Sequence, residues 1–136
     1  LYRALHRWKD RRKLVELPLF PSYVFVRSDL RERIRILSAP GSVYLVSDSQ
    51  GPLAITPPEI ASIEILARSG RAVPSPLVPA GAPVRVVRGP LAGVEGTLAG
   101  SRHAGWVVVA IPALASAIRA EVELEDVEPI RDGRAR

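Results

Sequence analysis

Apolar and polar residues change their period several times along this chain, and each change marks an element. Leu1, Leu5 and Trp8 stand at helix-like spacing, and the polar run Lys9-Asp10-Arg11-Arg12-Lys13 reads as a turn after them. Val15 and Leu17 alternate with Glu16, which predicts a short strand over Leu14 to Leu17. Pro18 and Pro21 then bracket an aromatic in a turn, because neither carries a backbone donor. Tyr23 to Arg27 reads as a second strand, antiparallel to the first. Both phenylalanines of the chain and one of its three tyrosines fall within Leu17 to Arg27.

Asp29 and Glu32 form a capping-box pattern, and Leu30, Ile34 and Leu37 follow at i, i+4 and i+7. The spacing predicts an amphipathic helix with Arg31, Arg33 and Arg35 outward, stopped by Pro40-Gly41. Ser42 to Val46 reads as a strand and Leu53 to Ile55 as a short edge strand. A stronger helix signal begins at Thr56, with Pro57 at the first helical position and Glu59 completing the box. Ile60, Ile63 and Ala67 share one face, widened by Ile65 and Leu66, and Gly70 suits the C-cap.

Pro74, Pro76, Pro79 and Pro83 then alternate with small residues, the composition of a semi-stiff linker. Beyond it every pattern is β: strands at Val84 to Val87, Val94 to Ala99, Trp106 to Ile111, Ile118 to Leu124 and Val127 to Ile130. Four or five short strands in about fifty residues predict a small, strongly bent barrel. Gly93 and Gly96 are expected where positive φ or a bulge bends it.

The expected class is therefore α+β. A mixed domain over residues 1–71, an antiparallel sheet with flanking helices, is followed by a linker at 72–81, a barrel at 82–131 and a tail at 132–136. Composition changes this picture little: 47% hydrophobic and 24% charged residues are ordinary for a globular protein. No run reaches the roughly 18 apolar residues of a membrane span, and no apolar signal segment opens the chain. Cysteine is absent, which excludes disulfides and thiolate chemistry and fits the cytoplasm. Charge does change the picture. Residues 1–37 hold ten Lys and Arg against four acids, whereas Glu121, Glu123, Glu125, Asp126 and Glu128 crowd into eight positions. The basic half suits phosphates or an acidic protein surface, and the acids read as the solvent face of a strand.

Catalytic chemistry is not legible. His6 and His103 stand far apart, and no nucleophile elbow, zinc-helix or phosphate-loop pattern occurs. The residues describe a binding protein with no cofactor and no metal, not an enzyme.

Two stretches carry a resemblance. Pro18-Leu-Phe-Pro-Ser-Tyr-Val-Phe-Val26 resembles the central strand of the N-terminal (NGN) domain of NusG-type transcription factors. Pro83-Val-Arg-Val-Val-Arg-Gly-Pro-Leu-Ala-Gly-Val-Glu-Gly-Thr-Leu98 resembles the KOW motif of their C-terminal SH3-like barrel, with Val84, Val86, Gly89, Gly93 and Gly96 as motif positions. The resemblance implies that a first strand and first long helix precede Leu1 and that the N-terminal domain here is incomplete. Arg-Trp-Lys-Asp-Arg-Arg-Lys before the strand, and Pro-Ser-Tyr where the family often has Pro-Gly-Tyr, look like a specialised antitermination paralogue.

What the resemblance implies is a monomeric elongation or antitermination factor. It would bind the clamp helices of the largest catalytic subunit of RNA polymerase and suppress pausing. Phe20, Pro21, Tyr23 and Phe25 are the implied groove residues, with Phe20 and Pro21 exposed and Phe25 as groove floor or core. Arg31, Arg33 and Arg35 are implied contacts across the cleft, and Lys9, Arg11, Arg12 and Lys13 implied contacts with DNA of the transcription bubble. The barrel is expected to dock a ribosomal protein or a termination factor. The rival reading is a KOW-type RNA-binding or ribosome-associated protein.

Overall fold

In a computed structural model, residues 1–7, 12–75, 81–101 and 104–131 are described, and the side chains of 2–7, 12–15, 101, 104 and 113 are left aside. The chain is a mixed helix and sheet structure of the α+β class. It opens with β1 (Tyr2–Arg7) and β2 (Arg12–Leu17), an antiparallel ribbon in the register Tyr2↔Leu17, Ala4↔Val15 and Leu5↔Leu14. Two expectations are corrected here. Tyr2–Arg7, within the stretch of helix-like spacing whose Trp8 lies outside the described residues, is a strand, and β2 pairs backward with β1 instead of forward with Tyr23 to Arg27. Register explains the choice, because apolar residues of β1 meet apolar residues of β2 one for one.

Tyr23 to Arg27 belongs to no ladder among the described residues. Its alternation survives without the ladder: Tyr23 and Phe25 are half-buried, whereas Val24 and Val26 are exposed. The helix expected from Asp29 is short. Leu30–Glu32 make one 3-10 turn and α1 spans only Arg33–Leu37. The Arg31 N–H donates to Asp29 Oδ1 at 3.1 Å, as a cap should. Glu32 does not complete the box; Ser28 Oγ donates to its Oε2 at 2.7 Å. The strand expected at Ser42 to Val46 is displaced to β3 (Ser47–Asp48), which pairs with β4 (Gly51–Pro52) around a Gly51 of φ +121°. That tight turn sets the register; the Leu53 N–H donates to the Val46 carbonyl at 2.8 Å beside it, and the rest of Ser42 to Val46 and of Leu53 to Ile55 is in no strand.

The helix α2 spans Pro57–Ser69 as its caps predict. The Thr56 N–H donates to Glu59 Oε2 at 2.9 Å, and Gly70 closes the helix at φ +69°. Ser62, Ile63 and Leu66 are its buried residues, whereas Ala67, expected on the apolar face, is exposed. Sheet geometry decides the rest. β5 (Val73–Ser75), β6 (Pro83–Val86), β7 (Glu95–Ser101), β8 (Ala104–Ile111), β9 (Ser116–Val122) and β10 (Val127–Pro129) form one antiparallel sheet in the order β10-β6-β7-β8-β9-β5. The proline-rich stretch thus contributes an edge strand, β5, on β9; residues 76–80 of that stretch lie outside the described residues. Pro74 suits an edge because it has no N–H to offer a further strand.

Val84, Val86, Val107, Val109, Ile111, Ile118, Ala120 and Val122 point to one side of this sheet, and Leu19, Phe20, Ile63 and Leu66 join them in a single buried cluster. Gly93 has the positive φ expected of it, +97°. Gly96 does not; it is small because the Val108 carbonyl of β8 packs where its Cβ would stand. The alanine-containing stretch after β8 makes a 3-10 turn, Pro112–Leu114, and Ala115 follows with φ +48°. No described helix is long and apolar enough to cross a membrane.

The seat of α2 on the sheet is specific. The Glu95 N–H of β7 donates to Ser62 Oγ at 2.9 Å, and Ser62 is fully buried. Ser62→Ala leaves that N–H without its acceptor and is expected to cost about 1–3 kcal/mol. Leu66→Ala opens a cavity and is expected to cost about 2–5 kcal/mol. Urea denaturation of both variants checks this seat. A Leu66→Ala midpoint equal to wild type contradicts it.

Candidate protein-docking surface

The candidate surface grows from the turn at Pro21. The Tyr23 N–H donates to the Phe20 carbonyl at 3.2 Å, with Pro21 and Ser22 at the corners. Ser22 has φ +69°, a left-handed conformation that a serine adopts at a cost and a glycine adopts freely. The turn throws Phe20 inward. It is 5% exposed and meets Phe25 edge to face, with ring centroids 5.3 Å apart and planes at 85°. Phe20 is therefore a core residue and not the exposed groove residue that the sequence led us to expect. Physically, Phe20 is the larger apolar group at the turn, so it takes the core while the smaller Pro21 remains outside. Pro21 is exposed, as expected, and Phe25 packs against the buried cluster.

Beyond the turn the apolar surface faces outward. Val24 is 87% exposed and Val26 shares its face; Ile34 is 80% exposed and Leu30 stands one turn before it; Val43 and Tyr44 are 84% and 70% exposed. Leu30 and Ile34 were expected to be the buried stripe of an amphipathic helix, and they are not buried. The helix is only five residues long, and Ile36 and Leu37 are its half-buried residues in their place. Isolated exposed apolar side chains are ordinary, but five aliphatics and a tyrosine within 24–44 are not.

Cations interleave with these residues along the chain. Arg31, Arg33 and Arg35 are all exposed. Arg35 reaches Glu32 at 3.7 Å and Arg31 reaches Asp29 at 4.0 Å, exposed pairs that hold the side chains loosely. Arg33 has no ion pair among the described residues. Of the basic turn, Lys9 and Arg11 lie outside the described residues. Arg12 and Lys13 open β2, in register with Arg7 and His6. His103 also lies outside the described residues.

The C-terminal motif positions are spread through the sheet: Val84 and Val86 are buried, Gly89 is left-handed at φ +84°, and Gly93 and Gly96 flank the start of β7. They shape the sheet and do not converge on a site. Sequence reasoning singled out the aromatic side of the Tyr23 strand and missed Val24, Val26, Val43 and Tyr44. Alternation already placed Val24 and Val26 opposite the rings, but which face lacks a cover is not written in a period.

Residues 1–64 match the family model described as NusG, transcription termination factor nusG. No curated protein and no solved structure matches the chain.

Ser22→Gly removes the left-handed penalty and is expected to stabilise the protein by about 1 kcal/mol, whereas Phe20→Ala is expected to destabilise it by about 3–5 kcal/mol. Thermal melts of the two variants, shifted in opposite directions, check the turn. A Ser22→Gly melt below wild type contradicts it.

Proposed function

We propose, from the match of residues 1–64 to the family model of NusG, that the chain is a transcription elongation factor of the antitermination kind. In this reading it binds the clamp helices of the largest subunit of RNA polymerase and suppresses pausing. The observation that carries the reading is the exposed apolar surface of Val24, Val26, Leu30, Ile34, Val43 and Tyr44 beside three exposed arginines. A helix pair is a natural occupant of such a surface, since its apolar stripe buries against aliphatic side chains while its acids meet the rim. Phe20 and Phe25 pack edge to face at the turn that precedes these residues, and Pro21 is exposed there. The arginines set orientation and on-rate more than affinity.

The basic ribbon extends the same reading. Arg12 and Lys13 of β2, with Lys9 and Arg11 before them, are the candidates for contact with DNA in the elongation complex. Their contribution would be sequence-independent and salt-dependent. The C-terminal sheet, as the KOW barrel of the resemblance, is the candidate docking module for a second protein, a ribosomal protein or a termination factor.

The polymerase reading is tested on the surface and not on the core. Phe20→Ala confounds binding with folding, whereas Val24→Ser, Ile34→Ser and Tyr44→Ser alter exposed side chains, where substitutions stay within about ±0.5 kcal/mol. The triple variant is expected to keep its melting temperature and to lose at least about tenfold in polymerase affinity. It should also lose its effect on pause lifetime in single-round transcription. A wild-type chain that neither retains polymerase nor changes pausing sinks the proposal.

A further inference from the structure

The C-terminal sheet carries an unequal pairing at one edge. β9 runs through Ser116–Val122 and pairs with β8 at every residue, from Ile111↔Ser116 to Gly105↔Val122. On its other side β5 meets it at only three positions, Val73↔Arg119, Pro74↔Ile118 and Ser75↔Ala117. Ser116 and Ala120 to Val122 have no ladder partner on that side among the described residues. The middle residue of β5 is a proline, which lacks the N–H that a ladder uses. The strand is also lightly covered, since Pro74 is exposed and Val73 and Ser75 are half-buried.

The chain on either side of β5 is held more firmly. Gly70 closes α2, and Ala72 is 3% exposed, in the buried cluster it shares with Leu66 and Ile118. After the strand, the Ala82 carbonyl accepts from the Leu98 N–H at 3.1 Å, and Gly81 lies so close to β7 that a Cβ there would meet the Leu98 carbonyl at 2.7 Å. β5 is thus a short contact between two anchors, and it can leave β9 without dislodging either. The edges of the sheet point the same way. Its terminal strands are β5 and β10, and each carries a proline, Pro74 and Pro129. Such edges resist a further strand. β9 has no proline and is seven residues long, so an incoming strand can form more rungs with it than β5 does.

We propose that β5 is a displaceable strap, which shields the edge of β9 until an extended strand of a partner protein takes its place. The proposal deepens the reading of the C-terminal sheet as a protein-docking module and rests on it. What it adds is regulation: the edge is already occupied by the chain's own residues 73–75, and the partner must compete for it.

The test uses the full chain. In hydrogen exchange, the β9 amides that face β5 should exchange at least about tenfold faster than those that face β8, because opening the strap releases only the first set. The second arm is the double variant Ser75→Cys and Ala117→Cys, which places two cysteines directly across the ladder in a chain that has no other. Its oxidised form should slow the edge amides by about tenfold or more, and reduction with dithiothreitol should restore them in the same molecule. The third arm is binding of an acetylated, amidated peptide Lys-Val-Thr-Val-Thr-Val-Glu, followed through the amide resonances of β9. The reduced form should bind it saturably and the oxidised form at least about tenfold more weakly, and a peptide with proline for its central valine should not bind. Wild-type edge amides that exchange no faster than the β8-facing ones sink the proposal alone, and so does equal peptide affinity in the two redox forms. A strap that opens but admits no peptide at millimolar concentration sinks the docking reading and the proposal with it.

Discussion

Ser62 of α2 accepts a hydrogen bond from the Glu95 backbone of β7, at full burial, and the architecture depends on that seat. A buried N–H without an acceptor is costly, so the helix is held at one height along the strand. Ile63 and Leu66 then lie against the sheet and extend its core toward Leu19 and Phe20. Ile65 adds a close approach, because its Cδ1 is 3.1 Å from where a Cβ on Gly93 would stand. One polar contact gives the register, and the aliphatic residues around it supply most of the energy.

From that seat the two functional regions follow in different ways. Upstream, Phe20 and Phe25 are drawn into the core, and the turn at Ser22 turns their neighbours outward. Val24 and Val26 are thus exposed on the face opposite Phe25, which is half-buried and meets the buried Phe20 edge to face. Downstream, Gly70 turns the chain out of α2, and β5 lies along the edge of β9. The segment between helix and sheet is therefore part of the sheet, although its prolines read as a spacer.

Some elements were legible because the information is local. The caps of α2 are side chains next to the backbone groups they satisfy, so Thr56, Pro57, Glu59 and Gly70 announce the helix without help from tertiary structure. The five C-terminal strands were legible for a similar reason, since alternation and glycine turns recur at short intervals. The ribbon β1–β2 was not, because Leu1, Leu5 and Trp8 satisfy a helical period as easily as a strand pair does, and only the facing residues of β2 decide. Ser42 to Val46 failed similarly: β-branched and aromatic residues give propensity, but a strand exists only where a partner accepts its ladder.

By itself, the sequence determined the α+β class, the position and ends of α2, the order of the C-terminal strands and the pairing of Tyr23 with Phe25 on one face. Those features depend on neighbours within a few residues, or on a period of two or 3.6. Tertiary structure alone decided that Phe20 is core while Val24, Ile34 and Tyr44 are surface, that the proline-rich stretch supplies an edge strand, and that the Arg119 guanidinium stacks on Trp106. Burial is a relation between segments distant in sequence, and the period of a segment states which residues share a face without stating whether anything covers it.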